Sequence, residues 1–213
     1  MKHVWIAVAA LMLAACASTE GGNATPAVVI PQPPAPVAFA ADWDGVAPDA
    51  QAWTGYLESA LNEFGQPLLA SPPSDVAPFC ANYAQLSARD KKQFWIVFIS
   101  AMAKRESNFN PHSIYAEPAP LNQNSIGLLQ LSLTDNRSYG CSFANEADIE
   151  DPRKNLECGV RIMARRLANG EIGGGGNHHG LAAYWATLRD APDRNLASRT
   201  YIISRTTRSP GCS

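Results

Sequence analysis

The folded part of this 213-residue chain is expected to be all-α, with at most a minor share of strand. Three observations carry that expectation. Apolar residues recur at helical spacing in several segments, helix start and stop residues bracket those segments, and no stretch sustains the two-residue alternation of a large sheet.

The chain opens with a segment that does not belong to the fold. Lys2 precedes an apolar run from Val4 to Leu13, too short to span a bilayer, and the run ends in small residues. Residues 1–15 are therefore expected to be an export signal. Leu13-Ala14-Ala15-Cys16 resembles the lipobox of bacterial lipoproteins, in which the cysteine is acylated and the bond before it is cut. Two or more acyl chains anchor a protein stably where one does not, so a membrane-bound lipoprotein attached through Cys16 is expected. Ala17, standing where an Asp would retain the protein at the inner membrane, points to the periplasmic face of the outer membrane in a Gram-negative host. Residues 16–48 are rich in Pro, Ala, Gly and Ser, a composition that favours extended, solvated backbone, and they read as a tether. Residues 49–213 have the size of one domain.

Within that domain, Asp49 to Phe64 reads as a helix. Ser87 precedes Asp90 by three residues in a capping-box-like arrangement, which predicts a helix start. Phe94, Trp95, Val97, Phe98, Ile99, Ala101 and Met102 then give a wide apolar stripe, with Lys91, Lys92, Lys104 and Arg105 on the wet side. This is expected to be the long central helix, and it runs into Glu106. Asp151 and Pro152 suit a cap and first turn for a helix through Leu156, Val160, Met163 and Leu167, closed by Asn169-Gly170. After the glycine run 173–176, Leu181, Tyr184, Trp185 and Leu188 predict a further helix, and Asn195 to Arg205 another.

A net charge of −2 does not suggest capture of nucleic acid. Setting Cys16 aside leaves Cys80, Cys141, Cys158 and Cys212, an even number that in an exported protein implies disulfides. Of the three possible pairings, Cys141 with Cys158 would close one loop and Cys80 with Cys212 would fasten the terminal segments. A four-cysteine zinc site is the weaker alternative, because no pair has the short spacing such sites use. His178 and His179 with His112 are a weaker metal idea still, since no His-Glu-x-x-His spacing is present. No metal and no cofactor are expected. Arg161, Arg165 and Arg166 read as a solvated helix face.

Glu106 stands at the polar end of the most hydrophobic helix. A carboxyl pressed against apolar side chains loses solvation of its ionised form, so its pKa rises and it can hold a proton near neutrality. Position alone leaves it an ordinary surface acid. Four motifs in order change that reading: Glu106-Ser107-Asn108-Phe109-Asn110-Pro111, Ser125-Ile126-Gly127-Leu128-Leu129-Gln130, Asp151-Pro152 with Asn155 and Gly159, and Ala182-Ala183-Tyr184. Together they resemble the soluble-lytic-transglycosylase family of lysozyme-like domains, over roughly Ser87 to Trp185.

The resemblance implies a lysozyme-like fold around the central helix, with Glu106 as the catalytic acid and base and Ser107 as the serine beside it. It makes Ser107, Gln130 and Tyr184 substrate-binding residues, with Leu129 in place of the family's usual methionine and the Tyr184 hydroxyl near the catalytic carboxyl. The substrate implied is the glycan strand of peptidoglycan, cut by a monomer between N-acetylmuramic acid and N-acetylglucosamine with formation of a 1,6-anhydro ring. Three departures stand out. Trp185-Ala186-Thr187 replaces the Asn that commonly follows the tyrosine; Tyr115 to Gln123 reads as an enlarged loop beside the groove; and Leu131 to Gly140 reads as a polar loop carrying Asp135. A hydrolytic muramidase is the first alternative, with Asp135 as leading second acid and Glu117, Asp148 and Asp151 behind it. A wall-binding lipoprotein without turnover is the second.

Overall fold

The computed structural model describes residues 39–173, 179–190 and 194–212. The export signal, Cys16 and most of the tether lie outside the described residues, as does His178. Seven α-helices and one small hairpin are present among them: α1 (Ala50–Phe64), α2 (Gln66–Ala70), α3 (Ala88–Ser107), β1 (Ile114–Ala116), β2 (Asn124–Ile126), α4 (Asp135–Tyr139), α5 (Glu146–Glu150), α6 (Pro152–Arg166) and α7 (Arg194–Thr206). The strands pair antiparallel with Tyr115 opposite Ser125. The mainly helical expectation is met.

Helix α3 is the axis of the core. The Ser87 hydroxyl accepts from the Asp90 N–H at 3.1 Å, so the predicted cap is formed. Phe94, Trp95, Ile96, Phe98, Ile99, Met102 and Ala103 are fully buried along it. Their rings pack edge-on, Phe94 to Trp95 at 5.3 Å and Tyr83 to Phe94 at 5.0 Å between centroids. The polar tips in this apolar layer are satisfied locally. Trp95 Nε1 donates to Leu68 O at 2.9 Å and to Tyr83 Oη at 2.7 Å, and Tyr83 donates to Leu68 O at 2.7 Å. Helix α1 lies against α6, and α7 against α3.

Helix α6 docks closely on the turn that follows β2, and two small residues permit it. A Cβ on Gly159 would stand 2.3 Å from Leu129 Cδ1; one on Gly127, whose φ is +81°, would stand 2.4 Å from Asn155 Nδ2. Fully buried Asn155 then uses its whole amide to join that turn to α5. It donates to Ile126 O at 3.1 Å and Ile149 O at 2.9 Å, and accepts from Leu129 N–H at 3.0 Å. Asp151 caps α6 by accepting from Arg153 N–H at 2.8 Å, and Pro152 occupies its first turn. Cys80 is bonded to Cys212 and Cys141 to Cys158, the pairings favoured from the sequence.

Three expectations are corrected. The segment 39–48, assigned to the tether, packs into the domain. Trp43 is fully buried edge-on to Trp53 at 5.8 Å, the Gln93 amide exchanges hydrogen bonds with Ala40, and Asp42 N–H donates to Ser100 Oγ at 2.8 Å. A single tryptophan in a polar, proline-rich stretch has no periodicity to announce it. The helix expected across Leu181, Tyr184 and Leu188 is instead two 3-10 turns, Gly180–Ala183 and Ala186–Leu188. Tyr184 and Trp185 between them send their polar tips to separate partners, Asp135 Oδ2 and Leu129 O. Lastly, the polar loop 131–140 contains the short helix α4.

Candidate active site

The C-terminal end of α3, the β1–β2 hairpin with its 117–123 loop, the turn at 127–134, helix α4 and the 183–186 segment surround a cleft of about 360 Å³. Glu106, Glu117, Gln130, Asp135, Tyr139 and Tyr184 are among its lining. The hairpin loop is thus one wall, as its proline-containing length had suggested, with Leu121 at its exposed edge.

Glu106 reaches the cleft from the last turn of the helix that carries the core. The helix stops there because Asn108, with φ of 54°, and Phe109, with φ of 64°, turn the backbone left-handed. Burial pushes the Glu106 carboxyl up from 4.5 to about 7; a hydrogen bond from Thr187 opposes that rise, and the charge of Glu117 adds to it. Thr187 Oγ1 donates to Glu106 Oε1 at 2.5 Å. Such a carboxyl is protonated in a large fraction of molecules near neutral pH and can give its proton to a leaving oxygen.

The other sequence-predicted residues divide. Gln130 lines the cleft, its own φ of 52° closing the turn, but its Nε2 donates to Ser113 O at 3.1 Å and Gly127 O at 2.9 Å. It holds the turn with one end of the amide, which leaves the carbonyl end for a ligand. Ser107 is buried and donates to Ala103 O at 3.1 Å and Leu128 O at 3.0 Å. It ties α3 to the turn; no part of the cleft is lined by it. Tyr184 lines the cleft, yet its hydroxyl donates to Asp135 Oδ2 at 2.6 Å and not to Glu106. Burial beside Asp135 holds the Tyr184 hydroxyl well above its ordinary range, so it stays a donor.

Asp135 is nearly inaccessible, at 3% exposure, and also accepts from Ser132 N–H at 2.8 Å. Burial raises its pKa against these hydrogen bonds and the nearby Arg166. These bonds all fall on Oδ2, so the carboxylate orients Tyr184, and its near-complete burial leaves little room for a water to activate. Of the weaker acids, Asp148 pairs with Lys154 at 2.8 Å and Asp151 is the α6 cap, both away from the cleft. Glu117 does line it, held by the Ser125 hydroxyl at 2.7 Å. Of the histidines, His112 contacts Glu150 at 2.5 Å and His179 sits in a separate pocket with Arg165 and Arg166.

One site residue escaped the sequence reading: Thr187 had a signal, since the missing Asn after Tyr184 implied a replaced contact. Glu117, expected only as a weaker second acid, is the one of those weaker candidates that lines the cleft. The profile of the transglycosylase SLT domain matches residues 84–190. Solved structures of Bd0314 DslA are similar to the chain. A wild-type form is 34% identical, with a TM-score of 0.74, over 82% of this chain and 98% of that one. One glutamate-to-glutamine mutant is 33% identical with the same TM-score and coverage, and a second is 34% identical with a TM-score of 0.73 over 80% and 96%. No curated protein matches the chain.

Proposed function

The chain belongs to the transglycosylase SLT domain family, whose substrate is peptidoglycan, and on that premise we propose that it is a lytic transglycosylase cutting the N-acetylmuramic acid β-1,4 N-acetylglucosamine bond. The observation that supports this most is the partly buried Glu106 facing the cleft with its pKa pushed up to about 7. Protonated Glu106 gives its proton to the bridging oxygen as the C1–O bond breaks and positive charge develops at C1. The resulting carboxylate takes the proton of the muramoyl C6 hydroxyl, whose oxygen closes on C1 to form the 1,6-anhydro ring. One carboxyl serves as acid and then base, because the nucleophile belongs to the substrate. No cofactor is required by this path.

One observation favours a second reading, hydrolysis with two carboxylates. The two mutated glutamates of the DslA structures are eleven positions apart, the separation of Glu106 and Glu117 here. Asp135 is a poor second acid for the reasons given above, so in this reading Glu117 would activate water. Digestion of purified sacculi followed by mass spectrometry separates the two. Anhydro ends, one water lighter than reducing ends, are expected, and reducing ends alone would replace the lyase with a muramidase.

We place the protein on a membrane through lipid at Cys16, which the lipobox-like sequence supports. Metabolic labelling with a fatty-acid analogue is expected to mark the protein, and Cys16→Ser to abolish both the label and membrane fractionation.

A further inference from the structure

The cleft continues past Tyr139, Arg166 and Ala183 into a second pocket of about 560 Å³, lined also by Arg165, Glu171, His179 and Gly180. The two halves differ in charge. Glu106, Glu117 and Asp135 line the first with Arg166 at its edge, whereas Arg165 and the same Arg166 against a single acid, Glu171, line the second. Basic residues in the last turn of a helix complement its dipole, and for Arg165 and Arg166 at the end of α6 that alone would be sufficient cause. Arg166, however, is not splayed into solvent. Its Nε donates to Tyr139 Oη at 2.9 Å and its guanidinium lies 5.6 Å from the centroids of both Tyr139 and Tyr184. The planar group is thereby fixed at the boundary of the two pockets, and among the described residues no carboxylate forms an ion pair with it or with Arg165. A fixed, half-buried guanidinium beside an exposed one suits a carboxylate ligand.

Resting on the proposed peptidoglycan substrate, we infer that this second pocket is a subsite for the carboxylates of the stem peptide carried by the glycan strand. In a peptide-bearing strand of N-acetylated sugars the lactyl carboxyl is tied up as an amide, so the sugars carry no charge and the anionic groups belong to the peptide. A strand with its scissile bond at Glu106 that continues towards Tyr139 would bring those groups to Arg166 and Arg165. The acidic half of the groove meets the positive charge that develops at C1, and the basic half meets the appendage.

The test measures binding by the full chain carrying Glu106→Gln, so that it does not depend on turnover. Solubilised peptide-bearing strands are compared with the same strands after their carboxylates are coupled to methylamine. Amidation is expected to weaken binding about fivefold, the scale of one or two partly exposed ion pairs. Adding Arg165→Gln should narrow the gap between native and amidated strands, with Arg166 holding the remainder, and Arg165→Lys should restore part of what is lost. Equal affinity for the two strands overturns the inference, as does a gap that Arg165→Gln leaves unchanged. Equally tight binding of strands stripped of peptide, which expose the lactyl carboxylate, overturns it too. A wild-type protein that leaves sacculi intact would count against the proposed activity without touching this result.

Discussion

Thr187 donates its hydroxyl to Oε1 of Glu106 at 2.5 Å, across 81 positions of sequence. The bond favours the ionised carboxylate, while burial and the charge of Glu117 favour the protonated one. The acid strength of Glu106 is therefore a balance struck by residues from three separate segments.

That balance predicts pH shifts of opposite sign. Thr187→Val removes a donor that stabilises the carboxylate, so the Glu106 pKa should rise above about 7 and the alkaline limb of the kcat/KM profile should move to higher pH. Glu117→Gln removes a negative neighbour, so the limb should move to lower pH by less than about one unit. Thr187→Ser should retain the wild-type profile. Profiles of sacculus clearing between pH 5 and pH 9 check all three; parallel shifts in the two variants would refute the balance.

Glu106→Gln should lower activity by about 10²–10⁴-fold, the usual contribution of a general acid. The same change should stabilise the fold at alkaline pH. Between the unfolded value near 4.5 and the folded value near 7, the native protein holds a proton that the unfolded chain has lost, so wild-type stability falls as pH rises through this window. Glutamine has no such loss. The variant is expected to match wild type near pH 4 and to exceed it by on the order of 3 kcal/mol at pH 8, read by urea unfolding.

Tyr184→Phe deletes the hydroxyl that donates to buried Asp135 at 2.6 Å. An acceptor left short of a donor costs about 1–3 kcal/mol, and the variant should lose that much stability at pH 7. Lowering the pH should recover part of it, since a protonated Asp135 no longer needs the donor. Tyr184→Phe/Asp135→Asn should be less destabilised than the single change, a double-mutant cycle that reports the coupling directly.

Gly159→Ala would drive a methyl into Leu129 Cδ1, 2.3 Å from an ideal Cβ. Overpacking of this kind costs about 1–3 kcal/mol. Because Leu129 belongs to the turn that positions Gln130, activity should fall as well as Tm. Shortening the obstructing side chain with Leu129→Val should recover a fraction of both in the double variant.

What the sequence determined by itself was what is encoded over short range. The caps at Ser87 and Asp151, the apolar stripe of α3 and the span of α6 were legible because periodicity and capping act within a few residues of chain. Glu106 was legible through its ordered motif companions, and its place at the end of an apolar helix already implied a raised pKa. Tertiary structure alone decided the partners. Tyr184 reaches Asp135 across 49 positions and Thr187 reaches Glu106 across 81, and no local pattern specifies which hydroxyl meets which carboxylate. Nor did local pattern reveal that Trp43 completes the core, or that 180–188 would break into 3-10 turns so that two aromatic tips could find different acceptors. Desolvation and hydrogen bonding at the cleft depend on which segments close around it, and that is a property of the packed chain.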